Sequence, residues 1–373
     1  MESHGAGGRL PVTIRAMGGR DLPGLLAMRR GGVRLDLPDG VVGGYTPLIG
    51  YVQGRWNPFR GARIRTYVAS ARQAPLAFVQ ARERSPEQRH KWDLLYLGLG
   101  GTGATSPSRR ADLWTALLDY TTVAAGRRGV QYLYARAAAA GGAGEAFHAA
   151  GYTRYGEETI YLLHGTGGTG GTGDDAPDVA EAVELRPQAP GDTWAIHQLY
   201  TLTAPKTVQR AEAHTSHRWD LPTRGALAAR GGLREWGFVV ERGHELALYC
   251  RVARRRGRAC LGFVYEPGAR ELLGPAIGAL LRWLEPGPDE RVYCAVREFQ
   301  AELGGALGAH GFAAMEVQDV LVRYTTVSVR SPLLAVAGRP ARERRLVGGV
   351  PVGSFWRQAA PAQEEPHDGV VTE

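Results

Sequence analysis

Residues 92–163 read WDLLYLGLGGTGATSPSRRADLWTALLDYTTVAAGRRGVQYLYARAAAAGGAGEAFHAAGYTRYGEETIYLL. The apolar run 92–99 has the length and composition of a buried strand, and it ends in a Gly-rich basic loop, GGTGATSPSRR. From Asp112 to Ala125 the apolar residues Leu113, Ala116, Leu117 and Tyr120 recur at helical spacing. A short apolar run follows at 131–135, then a helical turn at 145–150, the pair Gly151-Tyr152 and a last strand at 158–163. The order is strand, polar loop, helix, strand, short helix, Gly-Tyr, strand. Asp112 stands where a helix N-cap is expected, because its short carboxylate accepts from free N–H groups of the first turn.

The same order returns in the second half. Residues 165–177, GTGGTGGTGDDAP, have nothing to bury and read as a linker. Before and after it the chain repeats a pattern. Ile14-Arg15 is followed by Asp21, six residues after the arginine, and a helical run. Leu185-Arg186 is followed by Asp192 at the same distance and another such run. Each half then carries three expected strands and one long helix: 65–70, 76–82, 92–99 and the helix from Asp112; then 237–241, 245–251, 259–265 and the helix 272–284. Gly311-Phe312 matches Gly151-Tyr152, a left-handed helix end followed by an aromatic anchor. The expected fold class is α/β (α+β), two copies of one unit, each a twisted mixed β-sheet flanked by helices. The expected divisions are 10–164, a Gly/Thr-rich linker 165–180, a more divergent 181–330, and a partly ordered tail 331–373.

The chain has 373 residues, 44% hydrophobic and 22% charged, the balance of a globular protein. It lacks an apolar run of about 18 residues, so no membrane span is expected. Residues 1–17 lack the apolar stretch of a secretory signal, and cytoplasm is the expected compartment. The formal net charge is +8 and rests almost wholly on arginine, with lysine only at 91 and 206. Clusters at 60–65, 82–91, 251–258 and 339–345 could hold an anion, but solvated hairpin tips are the expected reading, so nucleic acid is not an expected partner. Cys250, Cys260 and Cys294 lack metal spacing. Cys250 and Cys260 flank an expected hairpin and either face each other across it or stand as separate thiols. His214 and His217 lie three apart without a third ligand, so no metal is expected. The aromatic-rich 45–56 either lines an acceptor pocket or packs between the halves.

In its order of elements, 12–164 resembles the acyl-CoA-binding core of the GNAT (GCN5-related N-acetyltransferase) superfamily, and 183–330 resembles it more weakly. The resemblance implies two tandem GNAT-like domains. It implies that the fourth strand of each unit splays from the fifth and that acyl-CoA, acetyl-CoA or another, lies in the wedge with its pantetheine amides paired to strand four. The implied activity is direct N-acyl transfer to a small amine. The family motif Arg/Gln-x-x-Gly-x-Gly/Ala falls on Arg109-Arg110-Ala111-Asp112-Leu113-Trp114. Arg109 matches; Asp112 and Trp114 replace both small residues, leaving retained binding and a degenerate loop as alternatives. The cofactor contacts the resemblance implies are Leu97, Gly98, Leu99, Arg109, Arg110, Trp114 and Thr115, with the first half the expected binder. A second nest of N–H groups is conceivable at Gly98, Gly100, Gly101 and Gly103. Where the family often has a proton-donating tyrosine, the halves have Phe147, beside His148, and Leu307. The catalytic candidates are Asp93, His148 and Glu158, each with a plain surface or strand-edge reading beside it; Glu266 reads as a solvated strand end. A catalytically silent tandem protein that binds a small molecule or a protein partner is the alternative function.

Overall fold

The computed structural model describes residues 12–28, 32–44, 46–56, 64–72, 74–84, 88–100, 106–165, 183–222 and 232–325. Most of the expected linker, the whole expected tail, Gly101 and Gly103 lie outside the described residues.

The first half runs β1 (Thr13–Ala16), α1 (Leu22–Met28), β2 (Val33–Arg34), α2 (Asp39–Gly43), α3 (Pro47–Trp56), β3 (Ile64–Ala71), β4 (Ala74–Glu83), β5 (Lys91–Leu99), α4 (Pro107–Gly126), β6 (Tyr132–Ala138), α5 (Gly144–Ala149) and β7 (Thr153–His164). The second runs β8 (Arg186–Pro187), α6 (Asp192–Thr203), α7 (Lys206–Glu212), β9 (Arg234–Arg242), β10 (Glu245–Arg255), β11 (Arg258–Tyr265), α8 (Leu273–Leu284), β12 (Arg291–Arg297), α9 (Ala301–Ala309) and β13 (Ala313–Tyr324). The expected strands and long helices are present and mostly longer at their ends. Residues 47–56, expected as a connection, form a helix.

All strands among the described residues share one mixed sheet in the order β1-β3-β4-β5-β6-β13-β7-β12-β11-β10-β9-β8, with β2 set against β5. The order is symmetric about the β13–β7 pair. Each half gives its last strand to the other: β13 pairs with β6, and β7 pairs with β12. Glu158 of β7 lies directly opposite Gln318 of β13, five residues into each strand, at the centre of this pseudo-twofold.

Strand alternation divides the sheet's faces. On one face α4 and α5 pack over Trp92, Leu94, Leu133 and Ala135, burying Trp114 and Phe147. In the second half α8 and α9 cover Cys250, Leu261, Phe263 and Cys294 on that face. On the other face lie α1 and α3, with Leu25 and Tyr51 against Phe78, and α6 and α7, with Ile196, Tyr200 and Val208 near Tyr249. Burying each large apolar side chain contributes about 1.5–3 kcal/mol, so these clusters dominate stability.

The repeated Arg…Asp spacing closes the same local structure twice. Arg15 forks onto Asp21 at 2.7 and 2.8 Å, and Arg186 onto Asp192 at 2.9 and 3.1 Å. Each aspartate also accepts the backbone N–H three residues upstream, from Gly18 and Ala189. The carboxylate thus ties the strand end to the helix start.

The halves clasp each other reciprocally. The last carbonyls of α7 reach the first half's sheet: Lys91, only 1% exposed, donates to Glu212 O and Ala213 O at 2.9 and 2.5 Å, and Tyr134 donates to Ala211 O at 2.8 Å. The last carbonyls of α2 reach the second half: Arg258 donates to Val41 O at 3.0 Å and Arg255 to Gly43 O. Lys91 and Arg258 are the first residues of β5 and β11. Cations suit helix C-termini, where unpaired carbonyls concentrate negative potential. Both helices end in a left-handed residue, Gly44 at φ 67° and Ala213 at φ 44°.

Candidate functional site

Two wedges open in the sheet. In the first half, parallel β5 and β6 pair only over Lys91–Asp93 and Tyr132–Tyr134, then diverge. In the second, β11 and β12 pair from Arg258 to Leu261 against Arg291 to Cys294, then diverge. The splay expected after strand four therefore occurs twice.

The first wedge is filled by the chain itself. β2 lies antiparallel to β5, with Val33 opposite Leu97 and Arg34 opposite Tyr96. Leu35 N–H donates to Leu95 O at 2.9 Å, and Arg136 N–H on β6 donates to Leu35 O at 3.0 Å. Gln318 Nε2 donates to Leu37 O at 3.0 Å. The strand edge that the resemblance assigns to pantetheine is thus bonded to residues 33–35. Of the expected contacts, Leu97 faces this segment and is fully buried, Gly98 pairs with Phe78, and Leu99 pairs with Ala77. A Cβ at Gly98 would overlap the Phe78 ring, which accounts for its glycine.

The other expected contacts lie on a helix. Helix α4 begins at Pro107 with Ser106 as N-cap, its hydroxyl accepting from Arg109 N–H at 3.3 Å. Asp112 is therefore in the second turn and does not cap the helix, because Ser-Pro supplies an earlier start. Arg109 is exposed, Arg110 is half-buried, Trp114 is 2% exposed in the core, and Thr115 Oγ1 donates to Ala146 O at 3.4 Å. The window 109–114 is helical throughout, so it offers no loop of free N–H groups.

The second wedge has no such filling among the described residues. Only Ala204 and Pro205 separate α6 from α7, against ten residues between α1 and α2. Among the described residues no backbone segment pairs with β11 beyond Leu261 on its wedge side. Phe263 O accepts from Gln300 Nε2 at 3.0 Å. Gly262, the first residue past the paired stretch, has open space where a Cβ would stand. Tyr265 OH lies 3.5 Å from Glu302, and burial raises its pKa to about 12.

Asp93, Glu158 and His148 are not brought together as a catalytic group. His148 is exposed on α5, across the sheet from Asp93. Asp93 is clasped by Arg84 at 2.6 Å and Arg82 at 3.3 Å. Burial alone would raise its pKa, but these guanidinium groups hold it well below the usual carboxylate range, which makes it a poor base. Glu158, 1% exposed, is held by Arg136 at 2.6 Å, Arg297 at 3.0 Å and Gln318 at 2.6 Å. Phe147 and Leu307 are fully buried.

The seam holds a second polar group, on α7. Glu212 accepts from Tyr200 OH at 2.7 Å and Arg297 at 2.6 Å, and lies 3.1 Å from His214 Nε2. Burial pushes the His214 pKa down to about 4 despite that carboxylate, so the ring is neutral near pH 7. His217 pairs instead with Asp220. Among the described residues no group of three ligating side chains gathers for a metal. Cys250 pairs with Phe263 and Cys260 with Ala253, so the two thiols do not face each other; all three cysteines are free.

Asp36, inside the first wedge, is the residue sequence reasoning missed most clearly. It is 2% exposed, and its Oδ2 has no hydrogen-bond partner. Burial outweighs Arg34 and Arg82 and raises its pKa from 3.8 to about 6. A carboxyl raised in the folded state adds stability below pH 3.8 that is lost as pH rises through 6. Asp36→Asn is therefore expected to stabilise the fold at pH 7 by about 2–3 kcal/mol, with the gain vanishing near pH 4. Urea midpoints of both proteins across pH 4–7 check this; parallel curves would refute it. The signal in the sequence was the unequal spacing of the first two helices in each half.

No protein-family model matches the chain, and no curated protein matches it. Solved structures do. A tandem GNAT protein from the clavulanic acid biosynthesis pathway, without acetyl-CoA, shares 16% identity over 86% of this chain and 100% of its own, at a TM-score of 0.48. A GCN5-related N-acetyltransferase from Sphaerobacter thermophilus shares 14% over 86% and 98%, at 0.49. An acetyltransferase of the GNAT family from Colwellia psychrerythraea shares 12% over 84% and 99%, at 0.41. Along most of its length the chain is similar to these three solved structures.

Proposed function

We propose that the chain is a GNAT-type, acyl-CoA-dependent N-acyltransferase in which the second half holds the thioester and the first half is a scaffold. The contrast between the wedges carries this reading. The β5 edge is bonded to residues 33–35, whereas among the described residues the β11 edge beyond Leu261 pairs with no strand and meets Gln300. Pantetheine amides suit such an edge, because they offer the donors and acceptors that a neighbouring strand would. The segment after Tyr265 is a 3-10 turn, Pro267–Leu272, with Arg270 exposed on it; its carboxylates Glu266 and Glu271 weigh against tight phosphate binding there. In the transfer, the amine nitrogen of a small acceptor attacks the thioester carbonyl. The C–S bond breaks, the CoA thiolate leaves, and the proton lost by the amine ends on that thiolate as free CoA thiol. Acetyl-CoA is the simplest donor.

A second reading, ligand binding without transfer, is favoured by the arginine-clasped Asp93 and Glu158 and by the apolar Phe147 and Leu307. Release of free CoA thiol with a panel of small amines separates the two.

Calorimetry with acetyl-CoA tests the wedge. Native protein is expected to bind, gaining about 2.7 kcal/mol of stability at a hundredfold excess over Kd. Gly262→Leu, which enters open space and leaves the fold intact, is expected to weaken binding at least about tenfold, or 1.4 kcal/mol. Hydrogen exchange gives an independent view: amides at Val33 and Leu35 are slow without ligand, and those at Phe263 and Tyr265 slow only when acetyl-CoA is added. Absence of binding, or binding that ignores Gly262→Leu, would sink the proposal. No helix among the described residues is long and apolar enough to cross a membrane. A cytoplasmic location accords with the reading.

A further inference from the structure

At the opposite end of β11 from the second wedge, a cavity of about 390 Å³ opens beside the β10–β11 hairpin. Its lining includes Arg234, Arg254, Arg255, Arg256, Trp236 and Trp283, and no carboxylate. A solvated hairpin tip accounts for some of this arginine, but three features of the cavity exceed that account. First, Arg234 lies directly opposite Arg254 across the β9–β10 pair. Like charges in that position destabilise a sheet. Second, one of the guanidinium groups is anchored from behind. Arg254 is fixed by Glu290 at 2.8 and 2.6 Å and by Leu284 O at 2.8 Å, whereas the Arg255 side chain turns to the opposite face of the sheet, where Gly43 O holds it. Arg234 and Arg256 are exposed and have no carboxylate partner among the described residues. Third, the apolar wall is a rigid aromatic corner. Trp283 packs edge-on against Trp236 at 5.1 Å and Phe238 at 4.9 Å, yet remains 43% exposed.

We infer that this cavity is a binding site for a nucleoside phosphate, the base lying against Trp283 and the phosphates meeting Arg234 and Arg256. A free indole face takes a planar heterocycle, and unpaired guanidinium groups take phosphate oxygens in forked pairs. Neither feature alone selects this class: arginines alone would bind any anion, and indoles alone any apolar surface. The volume is within the range of small-ligand sites. The cavity lies outside the wedge, so the assignment stands or falls apart from the acyltransferase reading.

Calorimetry of the full chain with ADP is the test, with adenosine and inorganic pyrophosphate as partial ligands. ADP is expected to bind at least about tenfold more tightly than either. Trp283→Ala and Arg256→Glu are each expected to weaken ADP at least about tenfold, while Gly262→Leu leaves it unchanged. Arg256 lies in an exposed turn, so its variant folds even if Trp283→Ala does not. Pyrophosphate binding as tightly as ADP would overturn the assignment, as would ADP binding unaffected by Arg256→Glu or absent altogether. Affinity for single-stranded RNA that rises with strand length would also overturn it, since that marks an extended track.

Discussion

Glu158→Gln is expected to lower the stability of the whole sheet by about 3–5 kcal/mol, read as a fall in the urea midpoint with little change in slope. The carboxylate is 1% exposed at the centre of the pseudo-twofold, and it neutralises Arg136 and Arg297, one guanidinium from each half. Glutamine keeps the shape and removes the charge. Arg297 then retains Glu212 at 2.6 Å, but among the described residues Arg136 retains only Asp39 at 3.8 Å, a carboxylate more than half exposed. An uncompensated cation that is only 26% exposed is the costly species, more so than the absence of the pair. The double variant Glu158→Leu with Arg136→Met is accordingly expected to recover part of the loss. A midpoint unchanged in Glu158→Gln would show that the seam is wet and its charges screened.

Trp114→Ala is expected to cost about 3–5 kcal/mol, the range for truncating a large buried aromatic residue. The side chain is 2% exposed among Leu113, Leu117 and the strands beneath α4. Its indole Nε1 is buried without a partner, so Trp114→Phe removes an unsatisfied donor along with some volume and is expected to cost under about 2 kcal/mol. Thermal or urea unfolding checks both. The pair also separates two roles. A core residue changes stability in the order Trp, Phe, Ala and leaves the acetyl-CoA affinity of the folded protein alone. A tryptophan at a phosphate loop would alter affinity with little effect on unfolding.

Much of the fold was legible in the chain. The periodicity of 92–163 located strand, helix and strand, and the matched Arg15…Asp21 and Arg186…Asp192 spacings marked the two starts, which the structure closes with the same forked ion pair. The Gly-aromatic pairs located the last strands. Pairing between distant strands was not legible. Nothing in the alternation of 153–164 or 313–324 says which neighbour each takes, because alternation sets which face a side chain takes and not which edge the strand joins. The start of α4 was misplaced because Asp112 and Ser106 are both competent caps, and the proline after Ser106 decided between them. The filling of the first wedge was hidden for another reason: residues 33–37, Val-Arg-Leu-Asp-Leu, alternate apolar and polar as a strand does, but so short a run does not say which sheet edge it takes. Charge partners were illegible in general. Asp93 and Glu158 look like candidate bases in a sequence, and only the guanidinium groups brought over them from distant strands show that they are held.

The exchange of last strands makes the order of synthesis matter. The pairing edge of β6 is complete once residue 138 has been made, yet its partner β13 ends at Tyr324, roughly 160 residues after β7 ends at His164. At ordinary translation speeds of about 5–20 residues per second, the 186 residues from 138 to 324 leave that edge unpaired for about 10–40 seconds. In that interval the nearest strand able to cover it is β7 of the same half, the wrong one. An exposed apolar edge also invites pairing with a second nascent chain. The protein therefore matures only when its C-terminal strand displaces or forestalls such pairings. Neither half, made alone, contains the strand that finishes it.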